Sequence, residues 1–223
     1  MSHLNLEAVD ADGAVREAAE AAGLDRGDFL KKSALAGGGL LVGSAMFSGI
    51  LSSAEAAIST TRRSSKNDVA ILNYALTLEF LEAAFYAQAV ANHAYGTSAA
   101  LKRFAEVVAD HEAKHVNFLR RALGAKAIKS PTFDFGDTVT DQAKFAATAQ
   151  VLEDMGVNAY LGQVANISAR GTLAAAATIT TVEARHAAWI RNINGDLPAP
   201  FSFDRRRSER TILKAVGDTG FIQ

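Results

Sequence analysis

Cysteine is absent from the 223 residues. That excludes disulfides, thiolate metal sites and a thiol nucleophile, and with them a rubredoxin-type electron-transfer centre in this chain. Charge of one sign is also missing. Lys and Arg number 23 against 24 Asp and Glu, so no bulk field favours nucleic acid or an acidic membrane surface. Proline occurs only three times, and alanine is abundant, which favours long helices. The length suits one domain, or one domain with an appendage.

What is present is a spacing. Glu112 and His115 stand three apart, and Glu183 and His186 repeat the pattern far downstream. Residues three apart share a face of a helix, so each Glu can aim at the same point as its His. The zinc-protease helix has two His four apart with a Glu between, and neither copy fits it. Two helices each carrying Glu-x-x-His, joined by one Glu from each of two more, form the ligand pattern of di-iron and di-manganese carboxylate bundles.

Two further Glu occur in the required order. Glu79 precedes the first Glu-x-x-His and Glu153 precedes the second, and each is followed seven residues later by a tyrosine, Tyr86 and Tyr160. Seven residues is close to two turns, so each Tyr shares the face of its Glu. The separations from Glu79 to Glu112 and from Glu153 to Glu183 are 33 and 30 residues. The chain therefore reads as an internal repeat of a helical hairpin.

Taken in order, residues 1–56 read as a signal-like or membrane-anchoring segment. Their polar lead ends in Asp25-Arg26-Gly27-Asp28-Phe29-Leu30-Lys31-Lys32, followed by an apolar run over 33–53 and by Ala54-Glu55-Ala56. Positive flank, apolar run and small-residue cleavage site are the three parts of an export signal. The stretch is similar to a twin-arginine signal, with Gly27 where that pattern has its second Arg. The expected location is periplasmic, extracellular or at a membrane through residues 33–53; an uncleaved anchor and a cytoplasmic helix packed on a partner are the other readings. Residues 57–66 read as a polar linker and 67–195 as the bundle, with Asn67 or Asp68 as candidate cap of its first helix.

That helix is expected to reach about Tyr95, the second to run over 98–123, the third over 141–168 and the fourth from near Thr172 to Asn194. The first is apolar on more than one face, as a helix among three others should be. Residues 124–140 are too long for a tight turn and fit a crossover from the end of helix two to the far end of helix three. The tail, 196–223, is expected to dock on the bundle through Phe201, Phe203, Ile212, Leu213 and Phe221. Arg205-Arg206-Arg207 read as a solvated cap rather than a nucleic-acid contact, since no aromatics interleave.

The segments LNYALTLEFLEAAFY, LEDMGVNAYLGQV and VEARHAAWIR, together with the crossover carrying Phe-Asp-Phe-Gly and the Pro-Ala-Pro-Phe tail, resemble the ferritin-like domain family that includes desiccation-related proteins. The resemblance covers about residues 67–223. It implies an all-α, ferritin-like four-helix bundle with a di-metal site more firmly than it implies a reaction.

The proposed ligands are Glu79, Glu112, His115, Glu153, Glu183 and His186. Four carboxylates and two imidazoles suit two iron ions, or manganese, better than copper, and zinc is also accommodated. Glu112 and Glu183 would bridge; Glu79 with His115 and Glu153 with His186 would complete the two ends. Tyr86 and Tyr160 are candidate hydrogen-bond supports, Glu82 is a spare carboxylate, and His111 reads as an ordinary histidine before it reads as a support. Expected partners are metal ions and oxygen or peroxide, with assembly into an oligomer left open. The functions in view are ferroxidase-type or peroxide-removing chemistry, or a stress protein that holds metal without turnover.

Overall fold

The computed structural model describes residues 58–223. The expected export or anchoring segment 1–56, with its apolar run, lies outside the described residues. Five α-helices account for most of what is described: α1 Ser65–Ala91, α2 Ala99–Leu123, α3 Gln142–Gln163, α4 Arg170–Ile193 and α5 Glu209–Thr219. Among the described residues no strand forms beyond an isolated bridge between Phe133 and Ile222.

α1 holds neither Gly nor Pro, and its many Ala, Leu and Glu are strong helix formers. By length and composition it could cross a membrane, yet it carries the buried carboxylates Glu79 and Glu82 and lies among the other helices. It is the core helix of the bundle. It stops at Ala91 rather than near Tyr95, because His93 adopts a left-handed φ of 57°.

The expected caps are placed differently. Ser64 caps α1, accepting from the Asn67 amide. Asn67 instead ties the entering chain at Ser59 to the carbonyl of Asn166. Asp68 reaches across the bundle and accepts from the amides of Ser168 and Ala169 at 2.7 and 2.9 Å, which puts a carboxylate at the N-terminus of α4. α4 accordingly starts at Arg170, while α3 gives way to a 3₁₀ turn after Gln163.

These contacts fix the directions. α1 and α4 start at the same end, joined by Asp68. At that end the chain leaving α2 is held by Asn73, which bonds Lys126 and Ile128. At the other end Gln142, the first residue of α3, packs on Gly96 in the α1–α2 turn, and Asn194 bonds Ala146 and Gln150. Residues 124–141 therefore span the length of the bundle, and α2 and α3 run the same way. On that path Phe135 packs edge-on to Phe85 and Phe221.

The tail contacts the bundle through α5 and its end: Ile212 and Val216 are buried, and Leu213 and Phe221 pack against the core. Phe201 and Phe203 do not dock; they are 53% and 56% exposed. Residues 196–208 form no helix, so no periodic face turns their side chains inward. That stretch is held by its backbone instead, with the Arg207 amide bonding the Asn158 carbonyl and the Arg207 carbonyl lying against Gly162, where any Cβ would collide. Phe201 carries the Arg205 guanidinium over its ring at 4.6 Å.

Candidate metal centre

The four helices of the bundle bring all six proposed ligands to one place. Glu79 comes from α1, Glu112 and His115 from α2, Glu153 from α3, Glu183 and His186 from α4. Each of the four carboxylates is 0% exposed. Two sets of side chains converge, with ligand atoms inside each set within 4.8 Å of one another: Glu79, Glu112, His115 and Glu183, and then Glu112, Glu153, Glu183 and His186. Glu112 and Glu183 belong to both sets.

Nδ1 of His115 lies 3.2 Å from Glu79, 3.0 Å from Glu112 and 3.1 Å from Glu183. Nδ1 of His186 lies 3.2 Å from Glu112 and 3.3 Å from Glu153. One N–H cannot serve three carboxylates. His186 Nδ1, both oxygens of Glu183, Oε1 of Glu112 and Oε2 of Glu153 are buried without an aligned hydrogen bond, despite these short separations. Buried polar atoms are rarely left so. Buried charged groups are ordinarily paired or coordinate a metal, and these crowded, unpaired atoms could hold a shared cation.

The tyrosines act across the repeat. Tyr86 donates to Oε1 of Glu153, and Tyr160 donates to Oε1 of Glu79. Each hydroxyl thus leaves the other oxygen of its carboxylate to face the centre. Glu82 is buried beside the cluster, and its Oε1 and Oε2 of Glu183 fill the space where Gly156 has no side chain.

His111 is the support that sequence reasoning ranked too low. Its Nδ1 meets Nε2 of His186 at 2.8 Å, with the rings stacked at 5.1 Å. This fixes the His186 ring with Nδ1 toward the carboxylates, the role that an outer partner plays for a metal-ligating imidazole. The repeat offers no parallel, since Val182 stands before Glu183 where His111 stands before Glu112. The available clue was that α2 carries two His four apart, on one face.

Electrostatics follow from burial. Burial, then the charge of Glu112, pushes Glu79 up to about 8. Burial and neighbouring carboxylates also raise Glu82, Glu153 and Glu183. Burial alone would raise Glu112 as well, but the imidazoles of His115 and His186 beside it, together with Glu79, hold it down at about 2. Burial opposes charge on the imidazoles, yet their carboxylate neighbours lift His186 to about 10 and raise His115 further. The side chains alone therefore gather protons to offset crowded negative charge. Divalent cations would replace those protons.

Four carboxylates, two imidazoles and unpaired buried oxygens suit two hard or borderline divalent ions, and the cluster is compatible with that occupancy. The family model described as the ferritin-like domain matches residues 67–196 of the chain. No curated protein matches it.

Proposed function

From the premise that the chain belongs to the ferritin-like domain family, we propose that it holds two divalent metal ions, iron or manganese, and uses them to oxidise ferrous iron or remove peroxide. The observation that carries this is the pair of overlapping ligand sets sharing Glu112 and Glu183. Glu79 and His115 would complete one metal's shell, and Glu153 and His186 the other's. Bound iron or manganese would supply one-electron chemistry toward oxygen or peroxide. The carboxylates offset the positive charge, His111 orients His186, and the two tyrosines orient Glu79 and Glu153. Export or anchoring through residues 1–56 belongs to the same proposal, and would place the bundle outside the cytoplasm or at a membrane.

Elemental analysis of the full chain from its native host tests the metal. About two ions per chain are expected, and the double variant Glu112→Ala, Glu183→Ala should fall to background. Background metal in the unaltered protein, after growth with added iron and manganese, would remove the proposal.

The second reading is a stress protein of the desiccation-related type that keeps metal without turnover. The complete burial of the four carboxylates favours it. Mixing chelator-stripped protein with ferrous iron and oxygen or peroxide separates the two. A rate no faster than buffer supports metal holding; a faster one supports turnover.

A further inference from the structure

The two ends of the cluster are packed differently. Superposing the repeats, Glu79 on Glu153 and Glu112 on Glu183, pairs Phe85 with Ala159, Phe104 with Ala175, Phe145 with Ile71 and Trp189 with Phe118. The larger member of every pair lies at one end, that of the α1–α2 turn. There the rings interlock: Phe85 stacks on Phe145 at 5.5 Å, and Phe104 meets Tyr86 at 5.8 Å and Trp189 at 5.4 Å. Phe85, Phe104 and Phe145 are fully buried.

At the opposite end the smaller partners leave a cavity of about 200 Å³. All four bundle helices line it, each within about one to two turns of a proposed ligand. On α1 Ala75 precedes Glu79, on α2 Phe118 and Leu119 follow His115, and on α4 Ile179 precedes Glu183. Tyr160, whose hydroxyl bonds Glu79, is part of the wall. The cavity therefore adjoins the Glu79–His115 end of the cluster. Of its lining residues Phe118, Ala122 and Gly171 are exposed at the surface, Phe118 to 38%.

We propose that this cavity binds a small neutral apolar organic molecule, an arene or a short alkyl chain, and presents it to the Glu79–His115 end of the metal centre. This rests on the metal proposal for what the ligand meets, but not for its binding. The lining is chiefly aliphatic and aromatic, and no charged side chain is part of it. An ionised headgroup would find no partner inside. The size is adequate, since an engineered cavity of about 150 Å³ lined by Leu, Ile and Phe stays dry and takes benzene. Peroxide or hydrated iron is a poorer occupant, because the few polar groups of the wall, the unpaired Tyr74 hydroxyl, Gln163 and Thr172, could replace only part of its hydrogen bonds with water.

The test uses the full chain, with fluorobenzene as probe followed by fluorine NMR. Saturable binding displaced by toluene is expected, to the zinc-loaded and manganese-loaded protein alike. Manganese should shorten the fluorine relaxation time relative to zinc, which reads proximity to the centre. Ala159→Phe and Ala175→Phe restore the rings of the closed end and should each weaken binding by about tenfold or more while metal content stays unchanged. If either variant fails to fold, Ala175→Leu makes the same test with a smaller group. Absence of saturable binding, binding indifferent to these substitutions, or equal relaxation in the two metal forms would overturn the proposal. Loss of the metal reading would show separately, as background metal on elemental analysis with fluorobenzene still bound.

Discussion

The hydroxyl of Tyr86 on α1 donates to the carboxylate of Glu153 on α3, and Tyr160 on α3 returns the same contact to Glu79 on α1. Each tyrosine thus supports the ligand of the other repeat rather than the Glu seven residues before it. The exchange stitches the two hairpins together at the site they share. Tyr86→Phe or Tyr160→Phe leaves a buried carboxylate oxygen without its donor, which costs about 1–3 kcal/mol. Metal affinity should fall by roughly 10–100-fold, as for other outer partners of metal ligands. Competition against a chelator of known affinity reads this. Unchanged affinity in both variants would reduce the tyrosines to packing.

Stability of the chelator-stripped protein should fall as pH rises above about 5. Folded Glu79 titrates at about 8 against an ordinary 4.5, so between those values the folded state keeps a proton that the unfolded chain has released. His186, raised from 6.5 to about 10, does the same at higher pH. In both windows the unfolded state binds fewer protons, and unfolding free energy drops with pH. Glu112, held at about 2, acts in the opposite sense, and its stabilisation is lost as pH falls from 4.5 toward 2. Each kcal/mol lost lowers Tm by about 2–4 °C for a chain of this size. Saturating manganese should weaken or reverse the alkaline fall, because metal displaces the same protons. Thermal melts at pH 5.5 and 8.5, with and without metal, show the trend; a stripped protein more stable at pH 8.5 would contradict it.

Among the described residues, Gly156 is the one glycine whose missing side chain serves the cluster. A Cβ there would stand 3.0 Å from Oε2 of Glu183 and 3.3 Å from Oε1 of Glu82. Gly→Ala inside a helix ordinarily gains about 1 kcal/mol. Gly156→Ala should forfeit that gain and bind metal more weakly, as the added methyl displaces Glu183. Gly217→Ala in α5, where a Cβ meets nothing within 4 Å, is the control and should be stabilising with metal binding intact. If both variants behave alike, the crowding at Gly156 has no consequence.

The convergence of the six proposed ligands was legible in the sequence because a helix turns a spacing into a face. Glu112 with His115, and Glu183 with His186, point together wherever the helices go, and long runs free of Pro showed where those helices lie. Of the supports made between distant segments, only those of Tyr86 and Tyr160 could be read from spacing. His111 reaches His186 on another helix with only its spacing of four from His115 as a local clue, and Asp68 caps α4 rather than its own helix with none. The asymmetry of packing is written in the sequence as Phe85 against Ala159 and Phe104 against Ala175, but it acquires meaning only after the repeats are superposed around the site. Phe201 and Phe203 misled because aromatic identity indicates burial only where an element gives the side chain an inward face.

Asp68 provides a test of the frame apart from the metal. Its buried carboxylate accepts two backbone amides at the start of α4, where a negative charge also meets the positive end of the helix dipole. Asp68→Ala removes both contributions and should cost about 1–2 kcal/mol by analogy with lost N-caps, measured by urea unfolding of the stripped protein. Asp68→Asn keeps one acceptor oxygen and should lose less. Glu183 lies several turns further along α4, inside the packed part of the bundle, so metal stoichiometry should hold in both variants. If Asp68→Ala emptied the site while leaving the unfolding midpoint alone, Asp68 would belong to the centre and not to the frame that carries it.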